Sequence, residues 1–129
     1  MKKVYNRART KVDLNEFQRL AARTLPDNPL HGNADGVNTA LLLHGALKLS
    51  GEAGEISDQV GKWYGQGHDL NVDHLVEELG DVLWHVAEIA TALDYDLGEV
   101  AYRNLEKLHK RYPDGFDAAK SKRRGFEDV

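Results

Sequence analysis

The chain has 129 residues, 41% of them hydrophobic and 29% charged, with only 3 Pro. That suits one folded domain and excludes a disordered acidic chain or a Pro-rich polymer. It has no Cys, which removes disulfides, thiolate zinc sites, iron–sulfur clusters and cysteine nucleophiles. The net charge of −4 is unevenly spread: residues 1–51 sum to +4, 52–99 to −11 and 100–129 to +3. An acidic centre between basic flanks is unlike a duplex-binding surface and better suited to cations.

Met1-Lys2-Lys3-Val4-Tyr5 leads into polar and basic residues rather than an apolar signal region, and no window approaches 18 apolar residues. The expectation is a soluble cytoplasmic protein with no membrane and no nucleic-acid duplex among its partners. Asp13-Leu14-Asn15-Glu16 has the form of a capping box, and Phe17, Leu20, Ala21 and Leu25 follow at helical spacing. This predicts a first helix over 13–25, stopped by Pro26. Residues 26–38 are rich in Pro, Gly and Asn and read as a loop, with Asn38 or Thr39 capping the next element.

A second helix is predicted over 39–64, its apolar stripe running from Leu42 and Leu43 through Ala46, Leu49, Ala53 and Ile56 to Val60 and Trp63. Four Gly lie inside it, each costing about 1 kcal/mol relative to Ala, so Ser50-Gly51 is a candidate kink. The third helix, 72–93, carries Leu75, Leu79, Val82, Leu83, Val86, Ile89, Ala90 and Leu93 on one stripe. A second capping-box form, Asp96-Leu97-Gly98-Glu99, opens a fourth helix that continues to Tyr112 before Pro113. No segment reads as a strand. The result is an all-α, antiparallel bundle of about four helices in a single domain spanning 1–129. Its helical core is 13–112; residues 113–129, including the basic Lys120, Lys122, Arg123 and Arg124, form an extended or partly ordered tail.

Two carboxylate pairs carry the chemistry: Glu52-Ala53-Gly54-Glu55 on the second helix and Glu78-Leu79-Gly80-Asp81 on the third. Helical residues three apart share a face, so two antiparallel helices can bring all four carboxylates together. Two unit charges 4 Å apart repel by about 4 kcal/mol at an effective dielectric near 20, and a hard divalent cation resolves the conflict. Oxygen-only ligation favours Mg²⁺, with Mn²⁺ as a substitute, over Zn²⁺. The bland alternative is a solvated acidic face; Gly54 and Gly80, placed where a helix former is cheaper, favour close approach of a helix or ligand. A di-iron bundle would need two Glu-x-x-His motifs, and only Glu106-Lys107-Leu108-His109 has that form.

Glu52-x-x-Glu55, a gap of 22 residues, Glu78-Leu79-Gly80-Asp81 and then Asn104-Leu105-Glu106-Lys107-Leu108-His109-Lys110-Arg111-Tyr112-Pro113 together resemble the MazG-type all-α nucleoside triphosphate pyrophosphohydrolases over about residues 39–116. The resemblance implies a helical core completed by homo-oligomerisation as a homodimer or homotetramer. It implies Mg²⁺ held by Glu52, Glu55, Glu78 and Asp81, and hydrolysis of an NTP or dNTP to the monophosphate and pyrophosphate, with Glu55 and Glu78 in catalysis. It places the phosphate contacts on Lys107 and Arg111, and a further substrate contact on Asn104. Lys107 and Arg111 are four residues apart on one helical face, so they can grip one polyphosphate; otherwise they complement the helix dipole. The competing reading is a non-catalytic oligomerisation or nucleotide-sensing module.

Other residues invite a role. Lys62, the single Lys or Arg among 52–99, can reach a phosphate or end a solvated helix. Trp63, Tyr64 and Trp84 can stack on a base, though such spacing more often marks core. His85, four residues after Asp81, can support a metal ligand, and Glu77 can orient a water.

Overall fold

The computed structural model describes residues 12–25 and 33–123. The first helix, α1, spans Leu14–Ala21, and a single 3₁₀ turn, Ala22–Thr24, continues it. The Asp13 carboxylate accepts the Glu16 backbone N–H at 2.7 Å, so the predicted N-cap is in place. Pro26 and the start of the loop lie outside the described residues, as do the N-terminal segment and Arg124.

The predicted loop before the second helix contains a small hairpin, pairing β1, Asn33–Ala34, with β2, Val37–Asn38. This corrects the expectation of no strand. Asp35 and Gly36 adopt φ of 54° and 74°, the pair of positive angles that a two-residue Asp-Gly hairpin turn requires. Asn38 then caps α2 by accepting the Leu41 N–H at 3.2 Å.

Helix α2 runs unbroken over Thr39–Gln66, so Ser50-Gly51 makes no break. It ends at Gly67, and α3, Val72–Ala92, begins after Asn71 accepts the His74 N–H at 3.0 Å. The short link folds α3 back along α2, and most of the helix-to-helix contact lies between these two. Gly45 sets their separation: a Cβ there would come within 2.8 Å of Ile89 Cγ1 and 3.1 Å of Glu88 Oε1.

Helix α4 spans Leu97–Arg111. Asp96 occupies its N-cap position without a side-chain cap bond, which corrects the second capping box. The work passes to α1: Gln18 Oε1 accepts the Leu97 N–H and Asn15 Oδ1 the Gly98 N–H, both at 2.8 Å. Gln18 Nε2 also donates to the Tyr95 carbonyl at 2.9 Å and to Thr91 Oγ1 at 3.1 Å. One side chain thus ties α1 to the turn between α3 and α4. Within the segment expected to be an extended or partly ordered tail, a short helix, α5, Ala118–Lys122, is capped by Asp117.

The buried apolar core is small: Ala40, Ala87, Ala90, Ala92 and Leu97, with Phe17 and Val86 against it. The α3 stripe is only partly covered, with Leu79 57% exposed and Leu83 and Leu93 also exposed. Leu47 on α2 and Leu105 on α4 are 74% and 64% exposed. The described chain is therefore an open helical arrangement whose α2–α3 hairpin forms the frame of the acidic site.

Candidate metal and phosphate site

The two carboxylate motifs face one another across the α2–α3 hairpin. Glu52, Glu55 and Glu78 each bring one carboxylate oxygen within 4.8 Å of the others. Glu78 is buried, Glu52 is half-buried and Glu55 is exposed, so the group forms a ledge open on the Glu55 side. Three of the four predicted ligands meet. Asp81, one turn along α3, is exposed and stands outside this group.

Glu78 is the strained member. Burial first, and then the adjacent Glu52 and Glu55 carboxylates, push its pKa from 4.5 to about 7. Its Oε2 is buried with no hydrogen-bond partner among the described residues. The other oxygen, Oε1, has His74 Nε2 at 3.5 Å, while His74 Nδ1 lies 3.6 Å from Glu77 Oε2. An unpartnered buried oxygen beside two further carboxylates is a donor set that suits a hard divalent cation, and Mg²⁺ fits its oxygen-only chemistry.

Gly54 and Gly80 do not mediate close helix approach within the chain. A Cβ at either position would meet nothing within 4 Å.

Asn104, Lys107 and Arg111 lie on α4; the first two are exposed and Arg111 is half-buried. Among the described residues, no hydrogen bond or ion pair joins them to the carboxylates. Lys62 is held by Asp58 at 2.7 Å, and Glu77 is largely exposed. Trp63 and Tyr64 are exposed rather than packed in a core, Tyr64 at 86%. Trp84 is half-buried, donates to Thr24 Oγ1 at 2.9 Å and meets His85 edge-on with centroids 4.9 Å apart.

His85 is buried, and its Nε2 points toward Glu52 Oε1 at 3.9 Å. Its other face leads to two residues that sequence reasoning missed, His44 and Glu88. Glu88 has a fully buried side chain, and His44 Nδ1 lies 2.6 Å from its Oε1. A signal was present: Glu88 sits between buried Ala87 and half-buried Ile89, three residues after His85, where a lone carboxylate needs a partner.

The chain is 37% identical over 100 residues to the Gene 37 protein of Mycobacterium phage L5, covering 74% of this chain and 86% of that protein. No solved structure matches. Residues 43–116 match the MazG nucleotide pyrophosphohydrolase domain, a segment that holds both carboxylate pairs and the cations of α4, and the chain belongs to that family.

Proposed function

We propose that the protein is a Mg²⁺-dependent nucleoside triphosphate pyrophosphohydrolase, cleaving an NTP or dNTP between the α and β phosphates to the monophosphate and pyrophosphate. The observation that carries this reading is Glu78: a buried carboxyl with an unpartnered oxygen, pressed against Glu52 and Glu55. Packing alone does not call for a half-buried and an exposed carboxylate converging on a buried one, whereas binding a cation beside a polyphosphate does.

Glu52, Glu55, Glu78 and Asp81 would hold the ion, Asp81 joining through a side-chain rotation on the same helix. Bound there, Mg²⁺ supplies charge neutralisation on the phosphate oxygens and lowers the pKa of water. Water forms the new bond to the α phosphorus, the bond to the bridging oxygen breaks, and pyrophosphate departs. Glu55, the most open carboxylate of the three, accepts the proton of the attacking water, and Glu78 fixes the geometry from below. Lys107 and Arg111 hold the β and γ phosphates, with Asn104 as a further substrate contact.

In this reading the site is completed by a second copy of the chain. Exposed Leu47, Val76, Leu79 and Leu105 leave apolar surface on three helices, more than a lone domain of this size ordinarily shows to water. A homodimer or a dimer of dimers covers that surface and brings a partner's cations to the carboxylates. Pyrophosphate release across a panel of NTPs and dNTPs, with and without Mg²⁺, tests the activity; no release from any of them would overturn it.

A further inference from the structure

We propose that His44, His85 and Glu88 form a second metal site, for a borderline divalent ion of the Zn²⁺ class, separate from the carboxylate cluster. The three side chains each bring a ligand atom within 4.8 Å of the others. Glu88 lies at the centre with its side chain wholly buried. His44 Nδ1 stands 2.6 Å and 3.0 Å from its two oxygens, and His85 Nδ1 stands 4.0 Å from Oε2.

The independent observation is His85 Nδ1. This nitrogen is buried in a side chain only 9% exposed, is aimed at Glu88, and has no hydrogen-bond partner among the described residues. A His44–Glu88 ion pair alone accounts for the carboxylate and leaves that nitrogen orphaned. An ion between the three side chains accounts for both. Two ligands on one tetrahedral Zn²⁺ lie about 3.3 Å apart, so the His44–Glu88 hydrogen bond has to open and His85 has to draw in, each by less than about 1 Å, for the ion to enter.

Donor chemistry separates the two sites. Two imidazole nitrogens and one carboxylate suit Zn²⁺, whereas the oxygen-only group of Glu52, Glu55 and Glu78 suits Mg²⁺. Metal-bound imidazoles characteristically direct their second nitrogen at a carboxylate, and His85 Nε2 faces Glu52. His44, with a side chain 37% exposed, leaves one side open to solvent for the ion and a fourth, water ligand. Gly45 allows the α2 backbone to come close enough for His44 to reach Glu88.

The test is equilibrium dialysis of the chelator-stripped full chain against Zn²⁺ in excess Mg²⁺, with elemental analysis, and Co²⁺ absorption as a geometry probe. The expected result is one Zn²⁺ per chain and tetrahedral Co²⁺ bands, in wild type and equally in Glu55→Gln, whose oxygen-only site is impaired. His44→Ala, a half-exposed position whose folding is checked by circular dichroism, should weaken Zn²⁺ at least tenfold, as should Glu88→Gln if it folds. His74→Ala, which removes the imidazole beside Glu78, should bind like wild type. Absence of Zn²⁺ uptake, unchanged uptake in folded His44→Ala, or loss of uptake in Glu55→Gln or His74→Ala would overturn the proposal. Because the readout is binding rather than turnover, its failure is distinguishable from failure of the proposed hydrolase activity.

Discussion

Gly45 of α2 lies directly against Ile89 of α3, where a Cβ on residue 45 would lie 2.8 Å from Ile89 Cγ1. Helical glycine ordinarily costs stability, but here the missing side chain is what allows the hairpin to close over Glu88. Gly45→Ala should therefore destabilise the protein by about 1–3 kcal/mol, an overpacking cost. At this size that lowers Tm by roughly 3–5 °C per kcal/mol. A variant with unchanged or raised Tm would show that the helices are not in contact there.

Glu78 makes the stability of the metal-free protein depend on pH. Its carboxyl is raised from 4.5 to about 7 by burial and by Glu52 and Glu55, so between those values the folded chain keeps a proton that the unfolded chain has released. Stability must then fall as pH rises through that window and level off above it. Glu78→Gln should flatten that part of the curve and be the more stable protein above about pH 7. Mn²⁺ has to displace the same proton, so its affinity for wild type should increase toward and beyond about pH 7. Melting curves of both proteins at several pH values check the sign; parallel curves would remove Glu78 from the electrostatic account.

Glu55→Gln separates a functional cluster from a solvated acidic face. If Glu55 accepts the proton, turnover should drop by about 10²–10⁴. The apo protein should be equally stable or more stable, since one of three converging charges is gone. Mn²⁺ should raise the Tm of wild type well above its effect on the variant. An active Glu55→Gln enzyme with full Mn²⁺ stabilisation would exclude the residue from the site.

Lys107 and Arg111 are tested by Lys107→Ala and Arg111→Ala. A charge-assisted phosphate contact worth about 1.5–3 kcal/mol corresponds to roughly a ten- to hundredfold loss in kcat/KM. Helix content and Mn²⁺ binding should stay near wild type. Wild-type efficiency in both variants would leave these cations as partners of the α4 dipole.

Sedimentation at micromolar concentration should give a dimer or tetramer. Leu105→Glu, which introduces a charge at a 64% exposed apolar position of α4, should weaken that assembly at least about tenfold if α4 lies in the interface. A stable, active wild-type monomer would contradict the completed-site reading.

Local signals made much of the fold legible. Asp13, Asn38 and Asn71 cap helices by accepting backbone N–H groups three residues on. The α3 boundaries followed from periodicity within one residue. What periodicity does not encode is the covering of a face: Leu79 and Leu83 share a stripe with buried Ala90, yet a single chain leaves them exposed. The Asp35-Gly36 pair is itself a hairpin-turn signal, embedded in a run of Pro, Gly and Asn that otherwise reads as loop.

The site divides in the same way. Glu52, Glu55 and Glu78 could be found from sequence because a spacing of three on a helix places two carboxylates on one face, and a short link makes the helices antiparallel neighbours. Tertiary structure alone decided that Glu78 is the buried member, that Asp81 is exposed and stands outside the group formed by the other three, and that Asn15 and Gln18 cap a helix more than 75 residues away. It also decided that His44 meets Glu88 across 44 residues of chain. Side-chain spacing along a helix is fixed by its 3.6-residue turn, whereas the register between two helices depends on where backbones can touch, as at Gly45 and Ile89.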